Sequence, residues 1–134
     1  DAEFIRVLGL GAMIVERLLV DTNVLVYHLG GRADATKALQ GVEVHISFIT
    51  EIELLSKASL TEVDLKNIRA AMAHYRISDV NPAIKQVAAS LRRTYGLKLA
   101  DAIIAATALH LNLPLLTADG GFERVKEAVE VRSL

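Results

Sequence analysis

Strand-like runs that are apolar at every position constrain this chain most. Leu18-Leu19-Val20, preceded by Met13-Ile14-Val15, stops abruptly at Asp21, and Pro114-Leu115-Leu116-Thr117 stops two residues before Asp119. A strand lacks a polar face when both of its faces are covered, which is the condition of a parallel sheet with helices above and below. Val42 to Phe48 alternates with period two and adds a strand, as do Ile77–Val80 and Val129–Val131. Helical patterns lie between them. Thr22 to Leu29 is closed by Gly30-Gly31, a short helix spans Asp34–Gln40, and another begins at Thr50. Ser59-Leu60-Thr61-Glu62 has capping-box spacing ahead of a helix reaching His74. Asn81-Pro82 is a cap and first-turn pair for a helix that ends at Gly96, and an alanine-rich helix covers Lys98 to Leu111. Gly120-Gly121 introduces a final helix. Alternating strands and helices predict one α/β domain with about five parallel strands and helices on both faces. Ligands of such sheets bind beyond the carboxyl ends of the strands.

Composition agrees and excludes other classes. A chain of 134 residues suits one core. With 52% hydrophobic residues and a net charge of −1, it can offset the entropy of ordering, which excludes disorder. The absence of cysteine excludes disulfides, thiolate metal sites and a cysteine nucleophile. No apolar stretch approaches the roughly 20 residues of a membrane span, so a cytoplasmic location without membrane association is expected. The segment Phe4–Val15 resembles a signal core, yet it follows the acidic Asp1-Ala2-Glu3, and Met13 is the first methionine. Residues 1–12 are expected to be a cloning remnant or an upstream extension, and 13–134 the domain proper. Charge is segregated: residues 66–98 carry a net +6, with seven basic side chains against Asp79, whereas 1–65 carry −5. Such a block is either a phosphate-facing surface or the solvated side of helices.

Four acids interrupt apolar surroundings: Asp21, Glu53, Asp101 and Asp119. Each alone has an ordinary explanation. Asp21 can cap a helix, Asp101 can favour a helix N-terminus, Asp119-Gly120 can form a turn, and Glu53 can face solvent. Together, at strand ends and a helix start that converge on one sheet edge, they point to a shared cation, because lone buried carboxylates are costly. Oxygen-only ligands suit Mg²⁺ or Mn²⁺. No EF-hand loop spacing is present, and His28, His45, His74 and His110 form no zinc-binding pair.

Asp21-Thr22-Asn23, Thr50-x-x-Glu53-Leu54, Leu99-Ala100-Asp101-Ala102-x-Ile104-Ala105-Ala106 and Leu116-Thr117-x-Asp119-x-x-Phe122 resemble, in order, the four motifs of PIN-domain nucleases. The resemblance spans residues 14–134, and the compact size is similar to that of VapC toxins of toxin–antitoxin pairs. It implies a single PIN-like α/β domain and a metal-dependent endoribonuclease. Asp21, Glu53, Asp101 and Asp119 become the catalytic and Mg²⁺- or Mn²⁺-binding carboxylates, with Asn23 and Thr117 as supporting groups. Glu51 competes with Glu53, but residues two apart on a helix point about 200° away from each other, so one of them faces the site. Gly121 stands where VapC sequences often carry a polar or acidic residue, so an auxiliary ligand is missing there.

The resemblance further implies an RNA substrate, a cognate antitoxin and a homodimer. Arg92, Arg93 and Lys98, just ahead of Asp101, are candidates for gripping RNA phosphates. Only 4% of residues are aromatic, which argues for recognition of backbone and shape over base stacking. Two other classes place acids at strand ends, namely receiver domains and HAD-like phosphatases. The second acid of the HAD pattern is Asn23 here, and the receiver's paired acids are poorly matched by Glu16 and Asp21. A non-catalytic PIN-like binding module is the remaining alternative.

Overall fold

The computed structural model describes residues 15–134. The expectations placed on residues 1–12 and on Met13-Ile14 lie outside the described residues. Five strands are present among these: β1 (Glu16–Val20), β2 (Val42–Ser47), β3 (Arg76–Ser78), β4 (Leu115–Thr117) and β5 (Val131–Ser133). The helices are α1 (Thr22–Leu29), α2 (Ala33–Ala38), α3 (Phe48–Leu55), α4 (Glu62–Met72), α5 (Pro82–Tyr95) and α6 (Leu99–Leu111), with a 3₁₀ helix at Gly120–Val125. All pairings are parallel, in the order β3-β2-β1-β4-β5. The chain steps outward from β1 to β3 and then returns to the other side of β1 for β4 and β5. Strand order therefore reverses between β1 and β4, where the carboxyl ends open a crevice.

Alternate β1 side chains feed two cores, one on each face. Leu19 and Leu115 pack with Ile84, Leu91, Ile104 and Phe122, beneath α5, α6 and the 3₁₀ helix. Leu18, Val20 and Leu116 pack with Leu25, Leu54 and Met72 from α1, α3 and α4. The expected sheet, covered by helices on both faces, is what the chain adopts. Helix α6 is buried nearly all round, through Ala102, Ile104, Ala105, Ala106, Thr107 and Ala108. Its alanines let α5 and the sheet approach closely, and Asp101 in its first turn is thereby held against the crevice.

Local boundaries differ from expectation where side chains cap the backbone earlier or later. Helix α3 starts at Phe48, ahead of Thr50, because the Ser47 side chain accepts a hydrogen bond from the Ile49 amide at 3.2 Å. The capping box of α4 is Thr61 with Asp64, not Ser59 with Glu62. Thr61 Oγ1 accepts from the Asp64 amide at 3.1 Å, and Asp64 accepts from the Thr61 amide at 2.9 Å. Helix α4 ends at Met72, short of His74, and α2 ends at Ala38, short of Gln40. β3 is shifted toward the amino terminus, to Arg76–Ser78, and pairs with β2 through Ile46 and Ile77. The segment after Gly120 is a 3₁₀ helix, not an α-helix. The last strand begins at Val131, since Val129 is buried in the core instead of pairing with β4. Helix α5 follows expectation closely: Asn81 accepts from the Ile84 amide at 2.9 Å, and Gly96 ends the helix in the left-handed region at φ 68°.

Candidate active site

Asp21 is the first residue past β1 and the cap of α1, and only 5% of its surface is exposed. One carboxylate oxygen accepts the Thr22 amide at 2.8 Å, the other the Thr117 hydroxyl at 2.9 Å. The ordinary capping role is thus real, yet it leaves the ionised group desolvated. Burial, opposed by those two hydrogen bonds and reinforced by the charges of Asp101 and Asp119, pushes the Asp21 carboxyl up to about 6. Burial also raises Asp101, helped by Asp119 and Glu53 and opposed by Lys98. The four acids therefore sense one another electrostatically although they come from four segments. None of them forms an ion pair within 4 Å among the described residues.

Three buried threonines hold the arrangement. Thr117, 1% exposed at the end of β4, donates to Asp21 and accepts the Asp119 amide at 2.9 Å, tying the loop after β4 to the end of β1. Thr22 donates its hydroxyl proton to Glu53 Oε1 at 2.7 Å, and its oxygen lies 3.0 Å from the Thr50 hydroxyl. A hydroxyl carries one proton, so Thr50 supplies the second hydrogen bond of this chain. Asp119 folds its carboxylate back onto the Gly121 amide at 2.9 Å. A methyl group at Gly121 would stand 3.3 Å from that same oxygen, so a side chain there would require the Asp119 carboxylate to shift slightly.

The expected residues are not equally placed. Glu53, not Glu51, reaches the Thr22 hydroxyl. Asn23 is exposed and takes part in none of these hydrogen bonds. Lys98 borders a cleft of about 170 Å³ with Asp101 and Asp119, whereas Arg92 lines a separate groove with Leu99 and Ile103 on another side of α6. Arg93 is exposed and lines neither. Two contributors escaped sequence reasoning. Thr22 was hidden in plain sight as a hydroxyl directly after an acid at a helix start, and Arg124, which lines the cleft with Lys98, carries no local signal at all. The histidines stay apart, with His28 on Thr36, His45 on Glu43, and His74 and His110 exposed.

Among the described residues, no three His, Asp or Glu side chains already stand close enough to enclose an ion. An open set still fits a hard cation, because Mg²⁺ keeps several waters and uses one or two carboxylates together with substrate phosphates. The donors are all oxygen, and buried Asp21 carries negative charge that no cationic side chain offsets. Substituting Thr117→Val removes the donor to Asp21 and the acceptor for Asp119. It should lower Mn²⁺ affinity about 10-fold, the scale of losing a group that orients a ligand. Calorimetric Mn²⁺ titration checks this, and unchanged affinity would show that Thr117 does not orient Asp21.

Residues 18–128 match the family model of the PIN domain, and the chain belongs to this family. Solved structures are similar to it. A toxin–antitoxin complex from Klebsiella pneumoniae is 32% identical, with a TM-score of 0.76 over 86% of this chain and 95% of that one. VapBC2 from Rickettsia felis, bound to a promoter DNA fragment, is 21% identical, with a TM-score of 0.76 over 87% and 98%. VapBC-1 from nontypeable Haemophilus influenzae is 24% identical, with a TM-score of 0.74 over 87% and 97%. The latter two bear on the fold alone. No curated protein matches the chain. Among the described residues, no helix is long and apolar enough to cross a membrane.

Proposed function

We propose that this chain is a Mg²⁺- or Mn²⁺-dependent endoribonuclease and the toxin of a VapBC-type pair. The observation that carries the reading is the buried Asp21 carboxylate at the switch point of the sheet, crowded by Asp101 and Asp119 with no paired cation. Asp21, Asp101, Asp119 and Glu53 would hold the ion. When bound, it supplies a water of lowered pKa and neutralises charge on the phosphate under attack. The chain's own part is orientation: Thr117 and the Thr22 amide fix both oxygens of Asp21, and the Thr22 hydroxyl fixes Glu53. Without a cation the clustered carboxylates repel a phosphodiester, so activity is metal-obligatory.

The 32% identity to the Klebsiella pneumoniae complex supports an antitoxin partner. A groove of about 380 Å³, lined by Val26, Leu29, Leu54 and Ile68, runs up to Glu53 and offers an apolar seat beside the acids. The homodimer implied by the resemblance belongs to the same proposal. Incubating the purified protein with total RNA and Mn²⁺, and mapping the products, tests the nuclease reading. Discrete cuts that vanish in excess chelator are expected. Intact RNA in the presence of Mn²⁺ would favour the non-catalytic module.

A further inference from the structure

The cleft of about 170 Å³ that Asp101 and Asp119 line is also lined by two cations, Lys98 and Arg124. Both are exposed, and neither forms an ion pair within 4 Å with any described carboxylate, although two carboxylates share their cleft. Neighbouring charges behave differently: Glu123 on the 3₁₀ helix pairs with Lys126, just past its end, at 3.8 Å. The backbone of Arg124 is fixed from both sides, because Phe122 and Val125 are 0% exposed. Its guanidinium leans back across the α5–α6 junction, with Nη1 3.5 Å from the Gly96 carbonyl. This contact uses one of five donors and leaves the others free.

We infer that Arg124, with Lys98, grips a phosphate of the RNA strand next to the one lying over the carboxylates, and so sets the direction in which the strand crosses the site. The inference rests on the nuclease reading and adds the group that positions the substrate. A guanidinium presents a planar fork that matches two phosphate oxygens, and a neighbouring ammonium adds a point charge. A cleft lined by both acids and cations matches a polyanion that must meet a metal at one phosphate and needs its next phosphate neutralised. Arg92, which faces the groove beyond Leu99 and Ile103, provides an internal control of equal charge.

Fluorescence anisotropy of a labelled single-stranded RNA, measured over a salt series in chelator, tests this without requiring cleavage. Arg124→Ala should weaken binding several-fold and reduce the slope of log K against log salt by about 0.7, the value for one phosphate contact on a single strand. Arg124→Lys should restore the slope, and Arg92→Ala should leave it unchanged. Arg124→Gln keeps a donor toward Gly96 and should behave as Arg124→Ala, separating loss of charge from loss of that contact. In cleavage with Mn²⁺, Arg124→Ala should raise KM and spare kcat. A wild-type slope in Arg124→Ala, or an equal loss in Arg92→Ala, overturns the inference. Slopes as expected with no cleavage by the wild type would sink the nuclease reading and leave the phosphate grip standing. Absence of RNA binding by the wild type in chelator overturns the phosphate grip, and cleavage with Mn²⁺ decides the nuclease reading separately.

Discussion

Asp21→Asn is expected to cut RNA cleavage by about 10²-fold or more while making the metal-free protein more stable at pH 8. The two effects share one cause. Asp21 is 5% exposed and its carboxyl is raised from 3.8 to about 6, so its ionised form is disfavoured in the fold. A carboxyl raised on folding contributes stability that is fully present below pH 3.8 and lost as pH rises through about 6. The shift corresponds to ~3 kcal/mol between those limits. Asparagine is neutral throughout. Its oxygen can keep the Thr22 amide, and its amide can donate to the Thr117 hydroxyl, which has lone pairs to spare.

A net gain of ~2 kcal/mol, or roughly 5–10 °C in Tm at pH 8, is therefore expected, shrinking toward zero near pH 4. Mn²⁺ should raise the Tm of the wild type, by ~2.7 kcal/mol of linkage at a hundred times its Kd, and should not raise that of the variant. Cleavage should fall about 10²-fold or more, the scale of losing one group that stabilises transition-state charge. Thermal melts across pH, with and without Mn²⁺, read all of this. A variant less stable than the wild type at pH 8 would mean that Asp21 is a structural cap and not a strained ligand.

Phe122→Ala is expected to be the most destabilising single change near the site. Phe122 is 0% exposed and sits in the core formed by α5, α6 and β4. Truncating such a ring removes its transfer energy and leaves a cavity, costing about 3–5 kcal/mol. That is a large share of the 5–15 kcal/mol of a typical domain, estimated on general grounds at about this size. The ring also anchors the 3₁₀ helix that carries Arg124 and follows Asp119, so cleavage by the fraction still folded should fall as well. Urea unfolding followed by circular dichroism should show a lower midpoint with an unchanged slope. A loss below about 1 kcal/mol would contradict the packing described.

The carboxyl-edge acids were legible because the carboxyl-terminal half of β1 and the leucines of β4 are apolar and buried, so an acid following them stands out. Leu18 to Asp21 and Leu115 to Asp119 show this plainly. Asp101 was legible for a related reason, as a charge at the start of a helix that is otherwise buried. Cap positions were less legible. Thr61 competed with Ser59, and the outcome was decided by Asp64 reaching back to the Thr61 amide. The basic residues were least legible, because nearness in sequence to Asp101 is not nearness in space. Arg92 lines a groove with Leu99 and Ile103, which are two residues either side of Asp101 and about 200° around the helix from it. Arg124 reaches the cleft only because a 3₁₀ helix, indistinguishable in the sequence from an α-helix, turns it there.

The central claim, that these carboxylates form one metal-dependent phosphodiesterase site, is tested most directly by single-turnover cleavage of a labelled RNA as a function of Mn²⁺ concentration. Wild type and Asp101→Asn are to be compared side by side. The account predicts no cleavage by either protein in chelator, saturable activation of the wild type, and an activation midpoint for Asp101→Asn raised about 10-fold or more with a lower plateau. Overlapping Mn²⁺ curves for the two proteins, or cleavage undiminished in chelator, would contradict it.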